Sequence, residues 1–177
     1  AFHEDAVADF CDAFGGGHDP KSTQRIMKDS RIGSYGALGL FLAVGLRAAL
    51  LIALPQEVII IAIIASACFG RLLAVAVMAL VAPAVTQEGG LAKDVGNRTN
   101  VKDLIRASLI AGPVIGLFAY WHIVPALLAL AGAALFLFWF RALLLRRLGG
   151  STGDCLGFAA YAGQLILLLA VLAIVGT

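Results

Sequence analysis

The sequence has little charge and few cysteines, and each shortage excludes a class of protein. Only 14% of its 177 residues are charged, whereas 61% are hydrophobic. A soluble domain has about 25% charged and about 45–50% apolar residues, so the composition indicates a membrane protein. Cys11, Cys68 and Cys155 are far apart and form no CxxC pair. This pattern argues against a disulfide framework or a zinc site and favours three free thiols.

Five apolar runs follow a polar segment of mixed charge at 1–36. They lie at about 37–54, 58–82, 104–121, 123–145 and 156–175. A helix needs about 20 mostly apolar residues to span a bilayer, and an interruption such as Gly112–Pro113 is tolerated when neighbouring helices satisfy the backbone. We therefore predict an all-α, polytopic membrane bundle of about five transmembrane helices over 37–177, preceded by an amphipathic helical segment at 1–36.

The basic residues predict the orientation of the bundle. All of them except Arg47 and Arg71 lie in segment 1–36 or at the polar loops near 83–103 and 145–155, whereas the tight turns near 54–57 and 121–122 have none. Loops that face the cytoplasm carry an excess of Lys and Arg. We expect all three polar stretches to face the cytoplasm from the inner membrane of a prokaryote. The chain starts at Ala1 without a positively charged leader, and we expect it to be trimmed from a longer protein.

An acidic stripe opens the chain. On a helix with about 100° per residue, Asp5, Asp9 and Asp12 fall within an arc of about 60°, where like charges repel one another. A divalent cation would remove this repulsion, and hard carboxylate oxygens suit Mg²⁺. The alternative is a solvated acidic face. Because apolar residues interrupt the acids beside a membrane domain, we favour the metal site.

Basic residues follow the acidic stripe after a helix break at Gly15–Gly17. Asp19 and Pro20 predict the start of a short helix that carries Arg25, Lys28 and Asp29 and ends near 30–33. Acids for a metal and bases for phosphate are what phosphoryl transfer requires. The alternative for the bases is attraction to anionic lipid.

Two arginines lie well inside apolar runs, away from the polar loops. An arginine at the centre of a membrane costs at least about 2.5 kcal/mol, so we expect Arg47 and Arg71 to be functional or paired rather than to extend to the interface. The loop Gly149–Asp154 could present backbone N–H groups to an anion at a helix N-terminus. No Lys follows its glycines, so it is not a Walker A loop, and an N-capping turn explains it equally well.

Two stretches together carry a family resemblance. The sequence FHEDAVADFCD at 2–12 continues into IMKDSRIGSYG at 26–36, and GGSTGDCLG stands at 149–157. This combination resembles the cobalamin synthase family, adenosylcobinamide-GDP ribazoletransferase, over nearly the whole chain. The family has glycines where this chain has Ala6 and Ala13, and its members begin with further hydrophobic helices, so we expect this chain to be the C-terminal majority of such a protein.

The resemblance implies a reaction and a set of site residues. A hydroxyl of α-ribazole, or of its 5′-phosphate, attacks the cobinamide-linked phosphate of adenosylcobinamide-GDP, and GMP leaves. Asp5, Asp9 and Asp154 would be catalytic. The resemblance also implies one group of Mg²⁺ ligands and one group of residues that bind substrate and phosphate. The Mg²⁺ ligands are Glu4, Asp5, Asp9, Asp12 and Asp29. The substrate and phosphate ligands are Arg25, Lys28, Arg31, Arg47, Arg71, Ser151 and Thr152.

The sequence also leads to expectations about partners and to two rival functions. We expect the bilayer as a partner, no nucleic acid, and a capacity to form homo-oligomers. The site should combine both ends of the chain, with Asp154 approaching the acidic stripe across a polar cavity that opens to the cytoplasm. We expect Arg25, Arg31 or Arg71 to line the wall of this cavity. One rival is a CDP-alcohol phosphotransferase, whose motif fails here because Asp9 follows Ala8 where an arginine is needed. The other is a cation transporter, whose site normally lies near the bilayer midplane, whereas these acids precede the first span.

Overall fold

The computed structural model describes residues 1–84 and 100–175, which contain seven α-helices. Two short helices come first, and five long ones follow. Their bounds are Phe2–Gly16 (α1), Pro20–Met27 (α2), Ser34–Ala53 (α3), Gln56–Leu80 (α4), Val101–Trp121 (α5), Ile123–Arg147 (α6) and Gly153–Val175 (α7).

Five of these helices, α3 to α7, are long and apolar enough to cross a membrane. This confirms the predicted number of spans and the all-α fold. The tight turns are also confirmed, because Leu54 and Pro55 separate α3 from α4 and His122 alone separates α5 from α6. Helix α5 continues through Pro113. Most helices extend a few residues beyond their apolar runs, as polar residues form the first and last turns.

Helix α7 is the centre of the bundle. Half of its most apolar stretch is buried (50%), compared with 11% in α3 and 6% in α5. It packs against α4, α1, α6 and α3. A Cβ atom added to Gly163 of α7 would lie only 2.8 Å from Cα of Gly70 in α4, so small residues permit this close crossing. The first turn of α7 is thereby held in a defined place.

Segment 1–36 packs against the bundle and does not project from it. Ala6, Val7, Ala8, Phe10 and Ala13 of α1 are buried, and α1 contacts α3 and α7. The ring of Phe10 stacks on Phe158 of α7, with 4.0 Å between centroids. This apolar face fixes the direction in which the acids of α1 point.

Helix boundaries in this segment follow the predicted signals, with one correction. Helix α1 ends at Gly16, and Asp19 caps α2 in a capping box with Ser22. Helix α2 ends at Met27, not near 30–33 as predicted. The reason is local, because the Asp29 carboxylate accepts hydrogen bonds from the backbone N–H and the guanidinium of Arg31, and α3 then begins at Ser34.

Three polar stretches meet at one end of the bundle. The Arg147 guanidinium, at the end of α6, donates to the carbonyls of Phe14, at 3.1 Å, and of Gly17. The Ser151 N–H donates to Ala82 O at 2.9 Å, after the end of α4. The charge distribution predicted this common end. Residues 85–99, with Lys93 and Arg98, lie outside the described residues, and the side of the membrane stays a prediction.

Candidate active site

The candidate site lies where α1 crosses the first turns of α7. A Cβ atom added to Gly157 would lie 2.4 Å from the Ala6 methyl carbon, so α7 has space for α1 only because residue 157 is glycine. The crossing brings Asp5 and Asp9 of α1 into electrostatic range of Asp154 in the first turn of α7. The two ends of the chain therefore meet, as the sequence predicted.

The carboxylates at this crossing repel one another. Partial burial raises the pKa of Asp9 to about 6, and the negative charges of Asp154, Asp5 and Asp12 act in the same direction. Within the described residues, none of Asp5, Asp9 and Asp154 forms an ion pair. We call these three residues the acidic site. Among residues 1–84 and 100–175, no basic side chain pairs with these negative charges.

Asp12, the third acid of the predicted stripe, is occupied by the backbone of α3. Its two oxygens accept hydrogen bonds from the N–H groups of Gly33, at 2.6 Å, and Gly36, at 2.8 Å. A Cβ atom on Gly36 would lie 2.2 Å from an Asp12 oxygen. Asp12 thus caps α3 and holds it against α1, a role that the sequence analysis missed. The glycines at 33 and 36 were the available signal for it.

The donor chemistry of the acidic site fits Mg²⁺. In the part of the chain that the structure describes, no group of three or more His, Cys, Asp or Glu side chains is arranged to hold a metal ion. Magnesium does not require such a group, because it usually takes one or two carboxylates together with waters and substrate phosphates. Asp5, Asp9 and Asp154 offer hard oxygen donors of this kind, and metal binding by them stays a prediction.

Glu4 and Arg47 contact each other beside the acidic site. The closest nitrogen of the Arg47 guanidinium lies 3.6 Å from Glu4 Oε1, and its central carbon lies 5.8 Å from the Tyr161 ring centroid. Arg47 of α3 thus links α1 to α7. The paired role expected for Arg47 is what the structure shows. The roles of Glu4 in metal binding and of Arg47 in phosphate binding stay predictions.

Arg71 has a different environment on the other side of α1. Its guanidinium donates to Ala67 O of its own helix at 2.9 Å. It lines a cavity of about 510 Å³ between α1, α4 and α7. His3 lies in the same wall, and its pKa is lowered by burial and by the positive charge of Arg71. The sequence predicted Arg71, but not His3, in the wall of a cavity at the site; that cavity was expected to be polar, whereas most of the residues that line this one are apolar.

The charged residues of α2 and of its connection to α3 are mostly exposed, and no carboxylate of the acidic site affects the pKa of Asp29. Arg31 forms two hydrogen bonds to Asp29, at 2.7 and 3.0 Å, and these bonds lower the pKa of Asp29 to about 2. Arg25 is exposed in the last turn of α2, and Lys28 is the C-cap residue. The structure does not bring Asp29 to the acidic site, and the phosphate-binding roles of the three bases stay predictions.

The loop before α7 is partly occupied by structural contacts. The buried Ser151 hydroxyl donates to Val81 O at 3.2 Å. The Thr152 hydroxyl accepts from the Cys155 N–H at 3.4 Å and lies 3.0 Å from Met27 Sδ. Thr152 therefore caps α7, in agreement with the capping alternative, while phosphate binding by either hydroxyl stays a prediction. Thr152 also lines the cavity that contains Arg71.

Arg147 has a structural role that the sequence did not indicate, since only its place among the basic residues at the polar loops was apparent there. Arg147 donates to two carbonyls at the α1–α2 break and lies over the Phe14 ring, with 5.6 Å to its centroid. It holds the end of α6 to segment 1–36. No local sequence pattern signals this role, because the partners are more than a hundred residues away.

Comparisons with known proteins give the family. The sequence profile described as cobalamin-5-phosphate synthase matches residues 1–172. Proteins named adenosylcobinamide-GDP ribazoletransferase are 37% identical to the chain in Ralstonia pickettii and 38% identical in Ralstonia nicotianae, each covering 98% of the chain. One from Leptospira interrogans is 33% identical and covers 96%.

The chain spans 66% of the length of each of these relatives, just under two thirds. No solved structure matched the chain. The profile match extends over almost every residue and includes both the acidic stripe of α1 and the loop before α7. The chain therefore belongs to the cobalamin-5-phosphate synthase family.

Proposed function

We propose that the chain contains the active site of a membrane-bound, Mg²⁺-dependent phosphotransferase. It would join adenosylcobinamide-GDP to α-ribazole or its 5′-phosphate, giving adenosylcobalamin or its 5′-phosphate together with GMP. The names of the relatives support the substrate and the transferred group. The observation that carries the proposal is the acidic site, where carboxylates from the two ends of the chain meet.

The charge of the acidic site supports a metal-assisted reaction of phosphates. The raised pKa of Asp9, about 6, means that placing its negative charge beside the other carboxylates is unfavourable. A divalent cation would offset this repulsion and would bring a pyrophosphate against the same carboxylates. When bound, Mg²⁺ would neutralise negative charge on the phosphate oxygens.

The chemistry assigned to the chain is positioning and proton transfer. The hydroxyl oxygen of the ribazole forms a bond to the cobinamide-linked phosphorus, and the bond from that phosphorus to the GMP oxygen breaks. The hydroxyl proton passes to a carboxylate of the acidic site. Catalysis of phosphoryl transfer depends mainly on positioning and electrostatics, which is consistent with acids fixed by two packed helices, α1 and α7.

The location of the site supports a cytoplasmic source of substrates. The acidic site lies at the bundle end that holds segment 1–36, the end of α4 and the loop before α7. By the distribution of basic residues, this end faces the cytoplasm from the inner membrane. Homo-oligomer formation remains part of the proposal.

GMP release tests the proposed function directly. The full-length protein in lipid should release GMP from adenosylcobinamide-GDP only when a ribazole nucleophile and Mg²⁺ are both present, and chelation should stop the reaction. CMP release from a CDP-alcohol donor would indicate the CDP-alcohol phosphotransferase instead, and cation flux without GMP release would indicate a transporter. Folded full-length protein in lipid that releases no GMP under these conditions would refute the proposal.

A further inference from the structure

The cavity that contains Arg71 lies next to the acidic site. Its walls are mostly apolar, with Val75 and Met78 from α4 and Leu156 from α7. One end is formed by Ser151, Thr152 and Gly153, and Asp154 follows directly in the first turn of α7. A ligand in this cavity would therefore lie within reach of the reacting groups.

Arg71 brings a positive charge to this cavity, and no ion pair within the described residues balances it. Among the described residues, no carboxylate forms an ion pair with Arg71, and its recorded hydrogen bond goes to a carbonyl of its own helix. Arg47, the other arginine far from the polar loops, has Glu4 as a partner. A guanidinium binds phosphate oxygens through paired N–H groups, so an anion would complete the environment of Arg71.

The size and walls of the cavity narrow the class of ligand. Its volume of about 510 Å³ lies within the range of about 300–1,000 Å³ that suits small organic ligands. Apolar walls suit a flat, uncharged base, whereas Arg71 suits a phosphate. A mononucleotide has both features. The family description also names a product that carries a phosphate, cobalamin-5-phosphate.

We propose that the Arg71 cavity binds the nucleophile of the reaction, with the base against the apolar walls and the 5′-phosphate on Arg71. Arg71 would then determine the preference for α-ribazole 5′-phosphate over α-ribazole. This inference rests on the proposed function. It adds a binding site for the acceptor, separate from the acidic site at which the pyrophosphate of the donor would bind.

The test is a comparison of both nucleophiles with full-length protein in lipid. Arg71→Met should raise KM for α-ribazole 5′-phosphate by about 10–100-fold, the effect expected for a lost hydrogen bond between charged groups, and should leave KM for α-ribazole within about twofold. Arg71→Lys keeps the charge and should recover part of the loss. Arg141→Met, on the exposed face of α6, is the matched control and should change neither value.

The outcomes separate this inference from the proposed function. If the wild-type protein releases no GMP with either nucleophile, the proposed function fails. If it is active and Arg71→Met affects both nucleophiles equally, or neither, the assignment of Arg71 is wrong and the function stands. An equal effect accompanied by loss of co-purifying phospholipid would mean that a lipid phosphate occupies the cavity. Where α-ribazole reacts too slowly, calorimetric binding of both nucleophiles provides the same comparison.

Discussion

Two regions at the same end of the bundle differ in whether their negative charge is compensated. On the connection between α2 and α3, Asp29 receives two hydrogen bonds from Arg31, which lower its pKa to about 2. In the acidic site, Asp9 has Asp154 and Asp5 as charged neighbours, and burial with these charges raises its pKa to about 6. The first region is electrostatically balanced, and the second is not.

This difference indicates which acids are available for function. A balanced pair on the surface needs no further partner and usually contributes little to stability. Clustered carboxylates with a raised pKa persist only because the surrounding packing fixes them, and such clusters are frequent at functional sites. The family resemblance implied one metal-binding set that contains both Asp29 and Asp9, whereas the environments of the two residues differ.

The largest effect should come from neutralising the unbalanced region. Asp9→Asn and Asp154→Asn should each lower kcat by about 100-fold or more, because each removes a group from one preorganised electrostatic unit. The double variant should be scarcely worse than either single one, since residues that act as a unit are not additive. GMP release by full-length protein in lipid is the measurement.

The control for this prediction is Glu57→Gln, which makes the same charge change in the first turn of α4. It should leave the rate unchanged. Multiplicative losses in the double variant would mean that Asp9 and Asp154 act separately. The clustering of carboxylates in the acidic site would then not indicate that they act as one catalytic unit.

Asp12 provides an intermediate case, because its charge is balanced by backbone N–H groups. Asp12→Ala removes the acceptors for Gly33 and Gly36 and should destabilise the fold by about 1–2 kcal/mol, as loss of a helix cap does. Asp12→Asn keeps one acceptor oxygen and should lose less. Thermal unfolding in lipid or detergent measures both. Unchanged stability with lost activity would show instead that Asp12 acts as a ligand, as the sequence first indicated.

Sequence patterns predicted the local features of the fold well. The five spans, the break after Gly15–Gly17 and the cap at Asp19 depend on hydropathy or on neighbours within one turn. The meeting of α1 with the loop before α7 was also predicted, because both stretches lie on the side of the bundle that carries basic residues. These inferences need no knowledge of how the helices cross.

The contacts that could not be predicted depend on helix crossings. Asp12 contacts Gly33 and Gly36 only because α1 packs along the start of α3, and Glu4 meets Arg47 for the same reason. Ala6, which occupies a position expected to be glycine, fits because Gly157 opposite has no side chain. Spacing along the chain contains no information on which side chain a neighbouring helix will present.

The smallest effect concerns the dependence of stability on pH in the metal-free protein. The pKa of Asp9 is raised from its ordinary value of 3.8 to about 6, so ionisation of Asp9 destabilises the folded state. This penalty is fully present above about pH 6 and disappears as the pH falls towards 4, because the folded state binds the proton more tightly than the unfolded state.

With chelator present, the Tm of the wild-type protein should therefore rise on acidification relative to that of Asp9→Asn, which lacks this titrating group. The difference should be at most about 2–4 °C, corresponding to about 1 kcal/mol for a chain of this size, since solvent screens a carboxylate that is only partly buried. Mg²⁺ should reduce the difference by stabilising the ionised form. A wild-type Tm that falls between pH 6 and 5 relative to Asp9→Asn would show that Asp9 is stabilised as a carboxylate, and the contrast with Asp29 would be lost.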